Sequence, residues 1–342
     1  MAYTTIDDPT IYFNTKLYTG TGSSNALTGI NFQPDWVWIK RRNSAGGHML
    51  TDVIRGVTKT IITNENGAEQ TFSNGLTAFG SDGFTVGSED GFNKASDTFV
   101  AWNWKAGGSA SSNSNGSITS SVSANTTAGF SIGTYNGSGS DNTVGHGLGV
   151  APDMIFVKCK STAHDWVVYH SALGNAKILT LNASTAAQSA TGWQSTSPTS
   201  SVFSIDNAAN SLNQSGQSFV FYAMASKKGY SKFGSYTGNG NADGTFVYTG
   251  FKPAWVLYKK SSGTENWFLH DNKRQGFNPD NELLFADLSN AEGTVNRIDL
   301  LSNGFKARTS DGGINGSGAT YIYMAFAESP FVTSTGIPTT AR

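Results

Sequence analysis

One pattern recurs three times in this chain and leaves few architectures open to it. Tyr18-Thr19-Gly20-Thr21-Gly22 returns as Tyr135-Asn136-Gly137-Ser138-Gly139 and again as Tyr236-Thr237-Gly238-Asn239-Gly240. Sixteen or seventeen residues after each tyrosine stands a proline, Pro34, Pro152 or Pro253, that opens an apolar run ending in lysine. The three runs are Asp35-Trp36-Val37-Trp38-Ile39-Lys40, Asp153-Met154-Ile155-Phe156-Val157-Lys158 and Ala254-Trp255-Val256-Leu257-Tyr258-Lys259. Fourteen residues beyond the prolines lie His48, Trp166 and Trp267, and a second apolar run begins 64, 66 or 67 residues beyond them, at Thr98, Ser218 and Thr320. Agreement at four landmarks marks a tandem array, in which each repeat is one structural unit.

The repeats span residues 10–107, 129–228 and 229–332, with an N-terminal arm at 1–9, a C-terminal tail at 333–342 and a Ser/Asn-rich stretch at 108–128. That stretch has the composition of a flexible spacer, so the first unit is expected to be the more independent one. The apolar runs are short, β-branched or aromatic, and bounded by turn residues, as buried strands are. Proline is tolerated at their heads because it has no ladder hydrogen bond to donate. Ser81-Asp82-Gly83 and Ser302-Asn303-Gly304 read as tight hairpins. The second repeat lacks that signal near Val202, so its loop is expected to differ. No sustained helical periodicity is present, and the best candidates are single turns such as 280–284. The expected fold class is all-β: three tandem antiparallel β-sandwich repeats of jelly-roll or lectin-like type. The recurring tryptophans at 36, 102, 166, 255 and 267 are expected in the sandwich cores, and Lys40, Lys158 and Lys259 are expected to snorkel at strand ends.

Only 14% of the chain is charged, against roughly 25% in average soluble proteins, while 40 residues are glycine and 12% are aromatic. A disordered chain would be poor in aromatics, so this composition argues for turn-rich folded material. A net charge of −1 supplies no electrostatic footprint for nucleic acid. No apolar run approaches the roughly 18 residues of a membrane span, so no membrane insertion is expected. The N-terminus carries no secretory pattern, and synthesis in a cytoplasm is expected. A single cysteine, Cys159, precludes an intramolecular disulfide framework and a cysteine-based zinc cluster.

The five histidines show no metal-ligand spacing and are expected in loops. The Gly-rich strings precede no helix that could cradle phosphate, and no Gly-x-Ser-x-Gly elbow is present. Most acidic residues stand in turn strings such as Asp82-Gly83 and Asp311-Gly312. No enzymatic activity and no cofactor or resident metal are therefore expected. Two places stand out as contact candidates. Trp193 lies in the polar string Thr191-Gly192-Trp193-Gln194-Ser195 with no counterpart in the other repeats, where it could stack on a sugar or anchor an interface. Asn239, Asn241 and Asp243 form an amide- and acid-rich loop of the kind that can face a ligand or a calcium ion, although it lacks the twelve-residue loop with a terminal glutamate.

The opening Ile6-Asp7-Asp8-Pro9-Thr10-Ile11-Tyr12-Phe13, followed by Tyr-x-Gly-x-Gly and the Pro-Asp-Trp/Met strand, resembles a repeat of tail-fibre-like virion structural proteins of marine tailed bacteriophages. The resemblance runs over essentially the whole chain and transfers no catalytic residue. It implies a virion surface protein assembled in a host cytoplasm: a tail, fibre or head appendage that contacts other virion proteins. It further implies a homo-oligomer, with a trimer as one arrangement, and adhesion to host cell-surface glycans. The alternatives are a decoration or cement protein without a receptor and, further off, a glycan-degrading enzyme. Residues 1–17 are expected to act as an anchor that can be removed without unfolding the repeats.

Overall fold

In the computed structural model, which describes residues 3–207 and 209–339, each repeat lays down the same large antiparallel sheet. In the first, the opening strand Phe13–Thr19 pairs with the closing strand Thr98–Trp104, and this pairs with the post-proline strand Trp36–Arg41, followed outward by His48–Asp52 and Lys59–Ile62. The second uses Phe130–Asn136, Ser218–Met224, Met154–Cys159, Val167–His170 and Lys177–Thr180 in that order. The third uses Ser231–Thr237, Thr320–Pro330, Phe251–Lys260, Trp267–Asp271 and Asp280–Phe285. Register repeats as well: Trp36 faces Trp104, Met154 faces Met224, and Trp255 faces Phe326. A smaller layer covers one face of each large sheet. It is built from Asn25–Leu27, Leu76–Gly80 and Gly83–Val86 in the first repeat and from Asn142–Gly145 and Val202–Ile205 in the second; in the third it consists of Gly293–Leu301, Gly304–Ala307 and Phe246–Tyr248, which continue the large sheet beyond Asp280–Phe285. Helix among the described residues is limited to single turns such as Asp90–Asn93 and Asn210–Asn213. The chain is thus nearly all-β, in several antiparallel sheets.

Side chains alternate across a strand, so a run that is apolar at every position must be buried on both faces. That is the case here. Val37 and Ile39 enter a cluster private to the first repeat, whereas Trp36 and Trp38 point the other way. The second repeat divides Ile155 and Val157 from Met154 and Phe156, and the third divides Val256 and Tyr258 from Trp255 and Leu257. The second member of each pair joins one shared core to which all three repeats contribute. Trp36 meets Phe130 at 5.4 Å and Tyr222 at 4.8 Å, and Trp104 meets Trp255 at 5.5 Å. The recurring tryptophans are buried as expected, but they fill the core shared between the repeats rather than the private core of each. At roughly 25 cal/mol per Å² and about 150–250 Å² per ring, each buried indole contributes on the order of 5 kcal/mol before ordering entropy is subtracted.

The first repeat is therefore not the independent unit that its spacer suggested. The spacer itself carries two strands, Ser111–Asn113 and Ser120–Asn125, which extend the edge of the second repeat's large sheet. Buried Val122 packs into that repeat's private core, and the Ser120 hydroxyl donates to the Gly145 carbonyl, so a polar composition conceals an alternating strand. Residues 280–284 are strand rather than helical turn, because Leu283 and Leu284 bury opposite faces. Both hairpins form, although neither Asp82 nor Asn303 takes a positive φ. The N-terminal segment is structural: Ile6 and Phe13 stand in the shared core, and the Thr4 hydroxyl donates to the Lys228 carbonyl at 2.7 Å.

Candidate functional site

The seams between repeats account for several residues that looked chemical in the sequence. Trp166 Nε1 donates to the Ile62 carbonyl of the first repeat, and Trp267 Nε1 to the Thr180 carbonyl of the second. His48 holds the same position in the first repeat and faces Phe285 and Leu288 of the third. The three buried lysines follow the same circuit instead of snorkelling. Lys40 donates to the Ser289 carbonyl, Lys158 to Asn66 and Lys259 to Ser184. First bonds to third, second to first and third to second, so the repeats close head to tail into a ring. Removal from water lowers each of these lysines to about 8.

A second polar set lies where the strands His48–Asp52, Val167–His170 and Trp267–Asp271 end. The Tyr222 hydroxyl and Trp102 Nε1 donate to Asp52 and Asp271, each of which also binds an arginine, Arg55 or Arg274. At the third seam the position matching Tyr222 and Trp102 is Met324, which has no donor. There the acceptor is replaced by His170, whose Nε2 lies 3.2 Å from the Tyr323 carbonyl. His48, His170 and His270 are buried on strands, which corrects their assignment to loops; His146 is a buried, hydrogen-bonded loop residue beside the Thr199 carbonyl, and His164 is half-buried against Gln214.

Trp193, expected on a polar loop, is 1% exposed and sits in the second repeat's private core, edge-on to Tyr169 at 5.6 Å and Phe203 at 6.3 Å. This repeat has no counterpart of Leu76–Gly80, and the loop bearing Trp193 takes its place. Asn239, Asn241 and Asp243 are exposed, as the sequence suggested, but they belong to a clamp present in every repeat. Buried Asn93, Asn213 and Asn315 each accept from the backbone N–H of Thr21, Ser138 and Asn239, while their amides donate to loop carbonyls. The Tyr-x-Gly-x-Gly tyrosines donate to Phe92, Leu212 and Ile314 carbonyls at 2.6, 2.6 and 2.9 Å. A Cβ on Gly20, Gly137 or Gly238 would lie 2.1–2.4 Å from a backbone oxygen, which is why that position is glycine. Asp243 forms an ion pair with Lys306. Among the described residues no cluster of three or more His, Cys, Asp or Glu could hold a metal ion.

The chemistry that these clamps and seams do not explain gathers at the junction of the second and third repeats. A cleft of about 440 Å³ is lined by Tyr3, Ser226, Lys228, Lys232, Phe233 and Tyr248, with the backbone of Gly229 and Gly250. That volume falls in the roughly 300–1,000 Å³ range of small-ligand sites. The hydroxyls of Tyr3 and Tyr248 are 3.4 Å apart; Lys228 Nζ lies 4.5 Å from the Tyr3 ring centre and Lys232 Nζ 5.2 Å from that of Tyr248. Lys232 also donates to the Tyr248 carbonyl at 2.7 Å. The hydrogen bond to Tyr3, then burial, raises the Tyr248 hydroxyl, and burial lowers Lys232. Tyr248 is 47% exposed and Phe246, two residues away on the same strand face, 44%. With the strands aligned on the inward Phe84, Phe203 and Phe305, these positions hold Ala26 and Thr28 in the first repeat and Thr143 and Gly145 in the second. The aromatic pair is thus peculiar to the third repeat. The residue pattern Phe-Val-Tyr was visible in the sequence, but only where the repeats differ.

A search of the curated proteins finds no match for the chain. A family profile matches residues 8–330, a span that takes in the first two repeats, all but the last two residues of the third, the strands between them and nearly all of the shared core. The chain belongs to the family described as Domain of unknown function (DUF7483).

Proposed function

We propose that this protein is a non-enzymatic structural component of a phage virion exterior, a tail, fibre or head appendage, and that it adheres to host surface glycans through the Tyr3–Tyr248 cleft. The sequence resemblance supports the location. The observation that carries the adhesive part is the pair Phe246 and Tyr248, exposed beside a cleft on a ring whose other large aromatics, Phe277 excepted, are buried or half-buried. Exposed aromatics on a body with few other apolar patches are contact groups, and flat rings suit the apolar faces of sugars. In this reading each unit is a jelly-roll or lectin-like sandwich, and the hydroxyl- and amide-rich loops form the remaining presentation surface. Two experiments test it. Glycan-array screening of the purified chain is expected to give binding that Tyr248→Ala removes; an array without binding would sink the adhesive part. Labelled antibody on intact virions is expected to decorate an appendage, whereas uniform capsid coverage would favour a cement role.

A further inference from the structure

The polar groups that the cleft leaves open are almost all donors. Lys228 and Lys232 form no ion pair among the described residues, and no carboxylate lines the cleft. The backbone already engages the other hydroxyls: Thr249 Oγ1 donates to the Phe251 carbonyl, Ser231 Oγ to that of Ala225, and Ser226 Oγ accepts from the Phe233 N–H. The two tyrosine hydroxyls can share only one proton between them, so the second remains available to a ligand. Two unpaired ammonium groups and a free hydroxyl proton around aromatic rings are complementary to an anion carried on a flat apolar face, and poorly complementary to a cation.

Resting on the glycan-binding reading above, we infer that the cleft selects an acidic sugar, whose ring lies against Tyr248 and whose carboxylate or sulfate lies between Lys228 and Lys232. Phe246, one strand step away on the same face, extends the platform to a neighbouring residue of the glycan, so an oligosaccharide binds better than a single sugar. Because both lysines reach solvent, their contribution is screened by salt.

The test titrates the full chain with trigalacturonate and with maltotriose, a neutral trisaccharide, by calorimetry at low and moderate salt. The expected result is at least tenfold tighter binding of trigalacturonate, weakened as salt rises. Lys228→Ala should cost roughly tenfold for the acidic probe and leave the neutral one unchanged. Tyr248→Ala should abolish both. Both side chains are exposed, and a thermal melt of each variant confirms that it folds. Equal affinity for the two probes would overturn the acidic preference while leaving glycan binding in place. Binding of trigalacturonate that neither substitution alters would overturn the assignment to this cleft. If neither probe binds but the glycan array is positive, the acidic-sugar inference fails and the broader reading survives.

Discussion

Buried amides hold this surface in shape. Each of Asn93, Asn213 and Asn315 is buried and satisfies several loop groups at once, so removing one strands a set of part-buried donors and acceptors together. Asn315→Ala is expected to cost about 2–3 kcal/mol in urea denaturation and to loosen the loop bearing Asn239 and Asp243. The histidines set the acid limit. Burial keeps His48, His170 and His270 below the ordinary imidazole value, His170 at about 4. The unfolded chain takes up protons near pH 6.5 that the folded chain refuses, so this stability is complete above about 6.5 and is lost as pH falls toward 4. Asp287, raised to about 6 by burial, Glu282, raised to about 7 by its hydrogen bond to Glu292 and by burial, and Asp35, raised by burial, work in the opposite sense, but the histidines lowered by burial, His146 among them, outnumber them. Thermal melts between pH 7.5 and 4.5 should therefore show a falling Tm. His170→Gln, whose amide can still donate to the Tyr323 carbonyl, should make that fall shallower; an unchanged slope would count against the titration.

At the level of elements, strands with both faces buried announced themselves, because a run such as Trp36-Val37-Trp38-Ile39 has no other economical use. Strands with one polar face did not. Ser120–Asn125 turns Ser120, Val122 and Ala124 to one face and Ser121, Ser123 and Asn125 to the other, where Ser123 is buried and accepts from the Gly107 N–H, and serine and asparagine hid that period. Val122→Ser should cost about 1–3 kcal/mol in the same denaturation experiment, whereas a spacer acting only as a tether would tolerate it without loss. The cleft escaped notice for a related reason. Repeat comparison highlights what the units share, and the shared Tyr-x-Gly-x-Gly loop proved to be a structural clamp. Phe246 and Tyr248 stand where the units diverge. Trp193 misled because its neighbours are polar, although the missing hairpin signal near Val202 had pointed to an altered loop in that repeat.

For the molecule as a whole, the repeats share more than their fold. Thirty-odd buried residues drawn from all three form one core, and a ring of lysine, tryptophan and histidine contacts closes its rim. Aromatic burial on the order of 5 kcal/mol per ring outweighs seam hydrogen bonds worth about 1 kcal/mol each. The hydrogen bonds set the register of one unit on the next, and the core makes them interdependent. The N-terminal strand Phe13–Thr19 completes the first sheet, so deleting residues 1–17 should destabilise the whole ring and not simply detach an anchor. The most direct test of the shared core is differential scanning calorimetry of the full chain. One transition with equal calorimetric and van't Hoff enthalpies is expected. Two or three separable transitions, each of roughly one repeat's enthalpy, would contradict it.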